Sequence, residues 1–586
     1  MIRKIGLIML VVFIPLYAEE DALTKAMRDE LARSMKQLQL ENLEKPYFIA
    51  YRVIENNGRR TSATFGTLTG GSEFRVRYLN VEVRVGDYKL DNTNFFSLSL
   101  GAAGVARMYG GTVQLPLEDD YKELRRQIWL ATDGAYKKAL EDLSKKRATL
   151  QNKTRTEEIP DLTREETSTL AEETPPLTIP ASRMEGWVRE LSALFKEMPD
   201  IFDSRVQLTS SNTQTRYLNS EGGSYTRVRP AVAFIARAAT QAPDGMPLED
   251  FVAAYGRSMD DLPSKEQLSA RIRELGAHLK ALRGANTIEQ YNGPVLFEGP
   301  AAAELFNQAF APNLVGTRRP IADNPSYERY AAQADNPFID KLGARVLPEF
   351  LSVSDNATAM EHLKAQLAGW YKVDDDGIAA RETKLVEKGT LRSLLTSRNP
   401  VRGITRSTGN RRGAGPMPSN LFITADNGLG AQELRERLIG QIKQRGKEYA
   451  IIIRSLGNPA LRLSRGISMA AMMAGQGGET RVEPAILAYK AYADGKEELV
   501  RNVEISGLSA ASFKEILAAS KEQTVYTAPF RGRSLPLQSY PTFEGPGEGS
   551  LVSFVVPSLL FEDMTLKKPS GEIPLPPVAK HPFFDK

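Results

Sequence analysis

The chain has 586 residues, 41% of them hydrophobic and 25% charged, and its formal net charge is +4. It contains no cysteine and three histidines, which lie far apart at His278, His362 and His581. These counts exclude disulfides, thiolate nucleophiles, iron–sulfur clusters and cysteine-ligated zinc, and the sequence has no HExxH, G-x-S-x-G or S-x-x-K motif. A charge so close to zero also argues against a nucleic-acid partner. The length favours two or three domains.

The N-terminus has the pattern of a secretory signal peptide, which we assign to residues 1–18. A basic start at Arg3 and Lys4 precedes an apolar run over residues 5–17, and Ala18 stands before two glutamates as the cleavage site. We therefore expect an exported protein, periplasmic or secreted, with an uncleaved N-terminal anchor as the alternative. The run is too short for a stable membrane span, and no later stretch reaches about 18 uninterrupted apolar residues.

Residues 19–290 are expected to form an N-terminal α/β domain. The spacing of leucine and methionine predicts a helix over residues 21–40. Alternation of apolar and polar residues then predicts a sheet with one solvated face between residues 47 and 85. The same alternation predicts a long hairpin over residues 206–238, which turns at a Glu-Gly-Gly sequence.

A helical and polar insertion is expected around residues 118–181. Asp119 and Asp120 open a helix whose apolar residues keep helical spacing as far as Leu143. From residue 145 to residue 180, glutamate and threonine dominate and large apolar residues are scarce. This composition predicts a solvated extension or loop.

Two capping boxes predict the N-termini of further helices. Ser182 with Glu185 and Ser264 with Gln267 each place a hydroxyl three residues before a side chain that can reach back to its backbone. The helix that follows Ser264 carries His278 one residue away from its apolar stripe. We interpret this lone helical histidine as structural or solvated.

Residues 291–567 are expected to form a β-rich C-terminal domain, followed by a loose Pro- and Lys-rich tail over residues 568–586. Helical spacing predicts two helices within it, over residues 301–310 and 432–444. Hairpin turns are predicted at three sequences, DDDG (374–377), EKG (387–389) and DG (494–495). The predicted fold class is therefore α+β, an N-terminal sheet-and-helix domain followed by hairpins with a few helices.

Two polar clusters and one carboxylate are candidate sites. The aspartates at residues 374–376 are hard-cation ligands by type, although the following glycine makes a hairpin tip the simpler interpretation. Four arginines between residues 402 and 412 stand among glycines, which is typical either of a loop that binds a carboxylate or phosphate or of a solvated loop. Glu304 stands on the predicted 301–310 helix, where a buried carboxylate can act as a general base.

The second half of the chain resembles the TldD/PmbA family, also called the modulators of DNA gyrase, whose active members are zinc peptidases. No single matching piece is diagnostic, but the pieces occur in the family's order. They are GPVLFEG (293–299), GARVLP (343–348), VSD (353–355), DDDG (374–377), LVEKG (385–389), STGNRR (407–412), PMPSN (416–420) and RNVEISG (501–507). An NSEG turn at residues 219–222 also resembles the N-terminal domain of the family.

The resemblance implies a site that has lost its metal ligands. In TldD-type members an HExxxH helix supplies two zinc-binding imidazoles and a glutamate, and its equivalent here has Ala303 and Gln308 at the histidine positions while Glu304 is kept. Alanine offers no lone pair, and a neutral amide is a poor replacement for imidazole at zinc. The cysteine near the C-terminus of active members is also missing. We therefore expect no metal site and no cofactor in this chain, with zinc only in a TldD-type partner, and Glu304 is the catalytic candidate.

In this respect the chain resembles the TldE (PmbA) type, which lacks the motif and pairs with a zinc-bearing TldD-type paralogue to cleave unfolded or extended peptides. Such a paralogue is the expected partner, with self-association as the alternative. Arg406, Arg411, Arg412 and Asn420 lie within the matching pieces and are the candidate substrate-binding residues.

Three functions are open at this point. The first is a non-catalytic subunit that helps an exported metalloprotease complex to bind unfolded peptides. The second is an independent peptidase that uses Glu304 with other carboxylates or a borrowed metal. The third is a secreted peptide-binding or assembly protein without catalysis. The gyrase in the family's name does not guide the choice among these functions, because an exported chain with a charge near zero is not expected to meet DNA or gyrase.

Overall fold

The computed structural model of the chain carries two large β-sheets with helices packed on them, which confirms the predicted α+β class. It describes residues 21–96, 112–151, 159–172, 174–324, 326, 336–413, 415–463, 482–501, 503–530, 551–569, 575–579 and 581–584. The predicted signal peptide, residues 1–18, lies outside the described residues. Within the described part, none of the helices has the length and hydrophobicity needed to cross a membrane.

The described residues form six α-helices and 24 β-strands. The α-helices are α1 Ala22–Gln37, α2 Tyr121–Gln151, α3 Ala181–Ala193, α4 Lys265–Gly284, α5 Pro300–Leu305 and α6 Ala431–Gln444. The strands of the first half are β1 Pro46–Thr64, β2 Thr67–Val85, β3 Phe95–Phe96, β4 Thr112–Gln114, β5 Thr169–Ala171, β6 Asp203–Asn219, β7 Ser224–Gln241 and β8 Pro247–Gly256. Those of the second half are β9 Gln290–Phe297, β10 Ile321–Ala322, β11 Leu351–Asn356, β12 Glu361–His362, β13 Ala365–Gln366, β14 Glu382–Glu387, β15 Thr390–Leu391, β16 Arg411–Arg412, β17 Gly415–Pro416, β18 Asn420–Ala425, β19 Tyr449–Leu456, β20 Ala485–Tyr492, β21 Glu497–Val500, β22 Glu504–Ser506, β23 Ile516–Pro529 and β24 Leu551–Lys567.

The N-terminal sheet is built from two long antiparallel hairpins. Its seven strands run in the order β4-β2-β1-β6-β7-β5, and β8 pairs with the other end of β7. The predicted hairpin at residues 206–238 is β6–β7, whose register runs from Asp203 opposite Ala239 to Leu218 opposite Ser224. Local alternation predicts these strands, but the expected solvated face is wrong along β1, where Phe48, Ala50 and Arg52 are buried because the second half of the chain packs on them.

The two faces of this sheet have different neighbours, since successive residues of a strand point to opposite sides. Ile49, Tyr51 and Val53 of β1 pack with α1 and α2 in one apolar cluster. Further along the same face, residues of β6, β7 and β8 pack with α3 and α4. On the opposite face, Phe48 and Ala50 pack in a cluster that includes Val373 of the second half of the chain. The sheet therefore has helices on one side and the C-terminal half on the other.

The C-terminal sheet has eleven strands in the order β15-β14-β11-β18-β24-β9-β19-β20-β21, and β22 and β23 also pair with β24. Alternate residues of strand β9 face the two sides of this sheet. Val295 and Phe297 face the main core with α5, whereas Leu296 faces α6 through Leu434 and Leu438. The core of the second half thus lies mainly on the face that carries α5, the helix of Glu304.

The polar insertion differs from the prediction of a solvated loop. Helix α2 continues to Gln151, and Asp161 and Leu162, in the middle of the polar stretch, are buried. Asp161 accepts a hydrogen bond from the buried Nζ of Lys146 at 2.6 Å and another from the backbone N of Asp91 at 2.9 Å. The expected loop is present, but full solvation fails at Asp161, because Lys146 of α2 and Arg318 of the second half compensate its buried charge.

One of the two predicted capping boxes forms. Ser264 accepts from the backbone N of Gln267 at 3.3 Å, and its own N donates to the Gln267 side chain at 2.9 Å. The Ser182 box is wrong, because α3 already begins at Ala181 without a side-chain cap. Its would-be partner, Glu185, instead accepts from the Arg59 guanidinium at 3.0 Å.

Two other expectations concern isolated features. His278 of α4 lies with Nδ1 3.5 Å from Oδ2 of Asp250 on β8, and this carboxylate raises the pKa of the imidazole. The histidine therefore joins helix to sheet, as its structural interpretation requires. Residues 581–584, which belong to the tail that we expected to be loose, form a short 3-10 turn against Phe65.

Candidate functional site

Glu304 lies at the centre of the C-terminal half, on a short helix that follows a central strand. Strand β9 ends at Phe297, and Gly299 takes a left-handed conformation with φ +52° before Pro300 begins α5. Proline suits the first turn of a helix because its missing N–H would have no partner there. After Leu305 the chain continues through a π-helical turn. The predicted 301–310 helix is therefore present, but it changes its winding next to Glu304.

The Glu304 carboxylate accepts four hydrogen bonds from other side chains. Oε1 accepts from Asn458 Nδ2 at 2.7 Å and from the Tyr526 hydroxyl at 2.9 Å. Oε2 accepts from Gln308 Nε2 at 2.9 Å and from Asn307 Nδ2 at 3.1 Å. A carboxylate has about four lone-pair positions, so these donors occupy its accepting capacity. Only 1% of the residue is exposed.

Burial controls the electrostatics of this cluster. Removal from water raises the pKa of Glu304, and the four donors act in the opposite direction by stabilising the charged form. Burial, and then the adjacent carboxylate, hold the pKa of the Tyr526 hydroxyl well above its ordinary value. Burial likewise raises the pKa of Tyr255 on β8, with a further contribution from the charge of Glu304. The N-terminal sheet therefore comes close to this cluster.

The residues around Glu304 do not fit a zinc ion. Ala303 is fully buried and has no ligand atom to offer. The Gln308 amide donates to both Glu304 and the Gly457 carbonyl, and its oxygen accepts from the backbone N of Glu483 at 2.8 Å. Every polar atom of Gln308 is thus engaged. Among the residues that the structure describes, no three or more His, Cys, Asp or Glu side chains are grouped as metal ligands.

Two of the four donors could not be read from the sequence. Asn307 and Gln308 stand three and four residues after Glu304, the spacing at which helical side chains meet. Asn458 follows strand β19 and Tyr526 lies on β23, more than 150 residues further along the chain. No local motif marks either residue, because the topology of the C-terminal sheet brings them to Glu304.

The candidate substrate-binding arginines Arg411 and Arg412 are occupied within the protein. Arg411 donates to Asp376 at 2.6 Å and to Glu82 of the N-terminal sheet at 3.1 Å. Arg412 donates to the backbone carbonyls of Pro418 at 2.6 Å and Leu551 at 3.0 Å. Neither guanidinium lies in an open loop, so the structure places both at structural junctions.

Arg406 and Asn420 also have internal partners. Arg406 is largely exposed and donates to Oε2 of Glu165 in the insertion at 3.1 Å. Asn420 is buried and donates to the carbonyls of Asn356 at 3.0 Å and Ala359 at 3.1 Å. The partners of the four candidate substrate-binding residues differ from those of Glu304. Of the four, Arg406 alone keeps a largely exposed guanidinium.

The aspartate turn at residues 374–376 joins the two halves of the chain. The turn is present, but it is buried against the N-terminal sheet rather than free at a hairpin tip. Asp375 accepts from Arg52 Nη1 at 2.9 Å and from the guanidinium of Arg227, and these two cations hold its pKa well below the usual range. Because guanidinium groups already neutralise Asp375, a cation has little reason to bind there.

The sequence model of one family matches the second half of the chain. It is described as "PmbA/TldA metallopeptidase C-terminal domain" and matches residues 290–568. A curated relative, "Metalloprotease MJ0996" from Methanocaldococcus jannaschii, is 39% identical over 97 residues, which are 16% of this chain and 20% of that protein. The match therefore spans about a fifth of the length of that relative.

Solved structures resemble nearly the whole chain. A proposed modulator of a DNA gyrase from Thermotoga maritima aligns with a TM-score of 0.58 at 15% identity, over 93% of this chain and 99% of that one. TldE from Thermococcus kodakarensis aligns with a TM-score of 0.55 at 15% identity, over 92% and 99% of the two chains. A proposed modulator of DNA gyrase from Bacteroides thetaiotaomicron gives a TM-score of 0.57 at 12% identity, over 93% and 99%. At these identities the likeness shows the fold.

The fold and the family match of residues 290–568 define a metalloprotease-related protein. The second half of the chain, residues 290–568, belongs to the TldD/PmbA family, as its motifs had indicated.

Proposed function

We propose that the chain is a zinc-less, non-catalytic subunit that helps a TldD-type partner to bind and cleave unfolded peptides. The observation that carries the proposal is the state of Glu304, which is buried and surrounded by four donors. A general base needs a free lone pair within reach of the proton that it removes. Here each lone pair already accepts a hydrogen bond, so the carboxylate is suited to hold the core together.

The replaced histidine positions support the same conclusion. Catalytic zinc is held by three protein ligands and an open position. Ala303 supplies no ligand, and the Gln308 amide is fixed by three hydrogen bonds. An independent peptidase that uses Glu304 would have to break this network to expose its base. The structure therefore favours the subunit over the independent enzyme.

The remaining parts of the proposal are the partner, the ligand and the location. A family of metallopeptidases supplies the partner class, a zinc-bearing TldD-type paralogue. Extended peptides suit a protein with two large sheets, because strands recognise an extended backbone by pairing with it. The signal-like N-terminus supports export to the periplasm or beyond.

Purification of the chain with and without the paralogue tests the proposal. We expect the chain alone to carry no stoichiometric zinc and to leave an unfolded casein substrate intact. Together, the two chains should co-purify and cleave casein faster than the paralogue alone. The matched control is a paralogue in which the glutamate of its HExxxH motif is replaced by glutamine.

Two results would contradict the proposal. Stoichiometric zinc, or hydrolysis by the chain alone, would establish an independent enzyme. Binding of casein without faster turnover in the presence of the paralogue would instead favour a peptide-binding or assembly protein.

A further inference from the structure

An aromatic residue occupies the tip of the long β1–β2 hairpin, at a position that disfavours it. Phe65 and Gly66 form a two-residue turn, with φ of +43° and +78°. Such turns are dominated by glycine, asparagine and aspartate, because a bulky side chain in the left-handed region is strained. A phenylalanine retained there needs packing that compensates the strain, and at a hairpin tip such packing is normally absent.

Phe65 is nevertheless only 8% exposed, because rings from two other parts of the chain cover it. Phe195, in the 3-10 turn after α3, lies edge-on with ring centroids 6.4 Å apart. His581 and Phe583, near the C-terminus, each place a ring centroid 5.3 Å from that of Phe65. These separations and tilts are those of favourable aromatic pairs.

The C-terminal segment has its own compact form. The N–H of Phe584 donates to the His581 carbonyl at 2.9 Å, and the N–H of Phe583 donates to Nδ1 of His581 at 3.3 Å. The turn sets the imidazole beside both phenylalanine rings, at 5.3 Å in each case. By contrast, Leu575 and Val578, a few residues earlier, are almost fully exposed. His581 and Phe584, in the segment that meets Phe65, are half-buried.

The segment connects distant parts of the fold. Strand β24 of the C-terminal sheet ends at Lys567, opposite Gln290, and the N–H of Lys568 donates to the Glu289 carbonyl at 3.2 Å. From there to residue 581 an extended chain can span about 40 Å. Residue 568 thus lies at the C-terminal sheet, and residues 581–584 lie at the tip of the β1–β2 hairpin. Phe583 keeps 56% of its surface exposed, so the segment can leave without opening the core.

We propose that Phe65 and Phe195 form a docking surface whose occupant is this chain's own C-terminal segment, residues 581–584. The segment acts as a clasp that holds the tail on the N-terminal sheet and protects the strained turn at Phe65. The covalent connection keeps the segment at a high effective concentration, so modest ring contacts suffice to hold it. When the clasp is removed, the same surface takes the free segment as a peptide.

Hydrogen exchange in the full chain tests the clasp. The variant Phe583→Ala with Phe584→Ala should exchange the amides of residues 64–67 at least tenfold faster than the unmodified chain. The matched control is Leu575→Ala with Val578→Ala, which shortens two exposed side chains of the same tail and should leave that exchange unchanged. Equal exchange in both variants would overturn the proposal.

A rescue experiment separates docking from a general loss of stability. The peptide HPFFDK, which copies residues 581–586, should restore protection when added to the Phe583→Ala and Phe584→Ala chain, whereas HPAADK should not. Absence of rescue by the first peptide, or equal rescue by both, would overturn the docking surface. Protection in the unmodified chain should also be independent of protein concentration. A dependence would show that the segment docks on a second copy, and the clasp within one chain would be wrong.

Discussion

Replacement of Glu304 by glutamine separates a structural carboxylate from a catalytic base. The substitution keeps the shape of the side chain but turns one accepting oxygen into a donating amide. Its least costly orientation points the new NH2 group toward Asn458 and Tyr526, because the Tyr526 hydroxyl can rotate and accept. The Asn458 amide cannot adapt in this way, since its oxygen already accepts from the N–H of Ala460 at 2.9 Å. One buried donor is therefore left without a partner.

The expected loss of stability follows from this one unpaired donor. A buried donor without a partner costs about 1–3 kcal/mol, so Glu304→Gln should lower the free energy of unfolding by that amount. The matched control is Glu298→Gln, six residues earlier, whose carboxylate pairs with Arg454 at 2.9 Å but remains 28% exposed. Exposed ion pairs contribute about 0.2–1 kcal/mol, so the control should unfold almost like the unmodified chain.

Two measurements are needed on the same preparations. The midpoint of urea unfolding, followed by circular dichroism, reports stability. Casein hydrolysis with the zinc-bearing paralogue, divided by the amount of folded complex, reports function. We expect Glu304→Gln to lower the midpoint and leave the normalised hydrolysis unchanged. A hundredfold loss of hydrolysis at an unchanged midpoint would refute the reasoning and identify Glu304 as a base.

The other predictions concern buried charges and one helix cap. Asp375→Asn should destabilise the protein by about 3–5 kcal/mol in urea unfolding, because it leaves the buried guanidinium groups of Arg52 and Arg227 without their anion; a loss below about 1 kcal/mol would contradict this. Burial raises the pKa of Asp355 to about 6, above its unfolded value, so the folded state holds this proton more tightly. Stability should therefore fall by up to about 3 kcal/mol as the pH rises from about 4 to about 6, and Asp355→Asn should flatten that part of the profile relative to the unmodified chain. Ser264→Ala removes the cap of α4 and should lower the unfolding free energy by about 1 kcal/mol, with no change expected from Ser182→Ala, which caps nothing.

Features that depend on neighbours in sequence were predictable. The β6–β7 hairpin and the Ser264 cap follow from alternation and from a spacing of three residues, and both are present. The Ser182 cap has the same local pattern and fails, because α3 begins one residue before Ser182 and Arg59 of strand β1 binds the glutamate that the box requires. A local pattern therefore predicts a local contact only when no stronger partner arrives from elsewhere.

The candidate site shows the same limit more strongly. The spacing of Glu304, Asn307 and Gln308 on one helix is visible in the sequence, and so is the loss of the histidines. That the carboxylate is saturated depends on Asn458 and Tyr526, which no spacing rule connects to it. The polar composition of the insertion predicted solvation for a related reason. A sequence does not show whether an acidic side chain is solvated or is buried beside a cation.

Strand β24 has a consequence for the order in which the second half can fold. It pairs with β9, β18, β22 and β23, and its contacts with β9 join residues more than 250 positions apart. Pairings between such distant segments form slowly, because the entropy of closing a long loop is lost before the stabilising contacts form. The C-terminal sheet therefore lacks its central strand until β24 has left the ribosome. On the proposal that the chain is exported, this delay would keep the second half unfolded during synthesis, the state in which a polypeptide can pass through a narrow translocation pore.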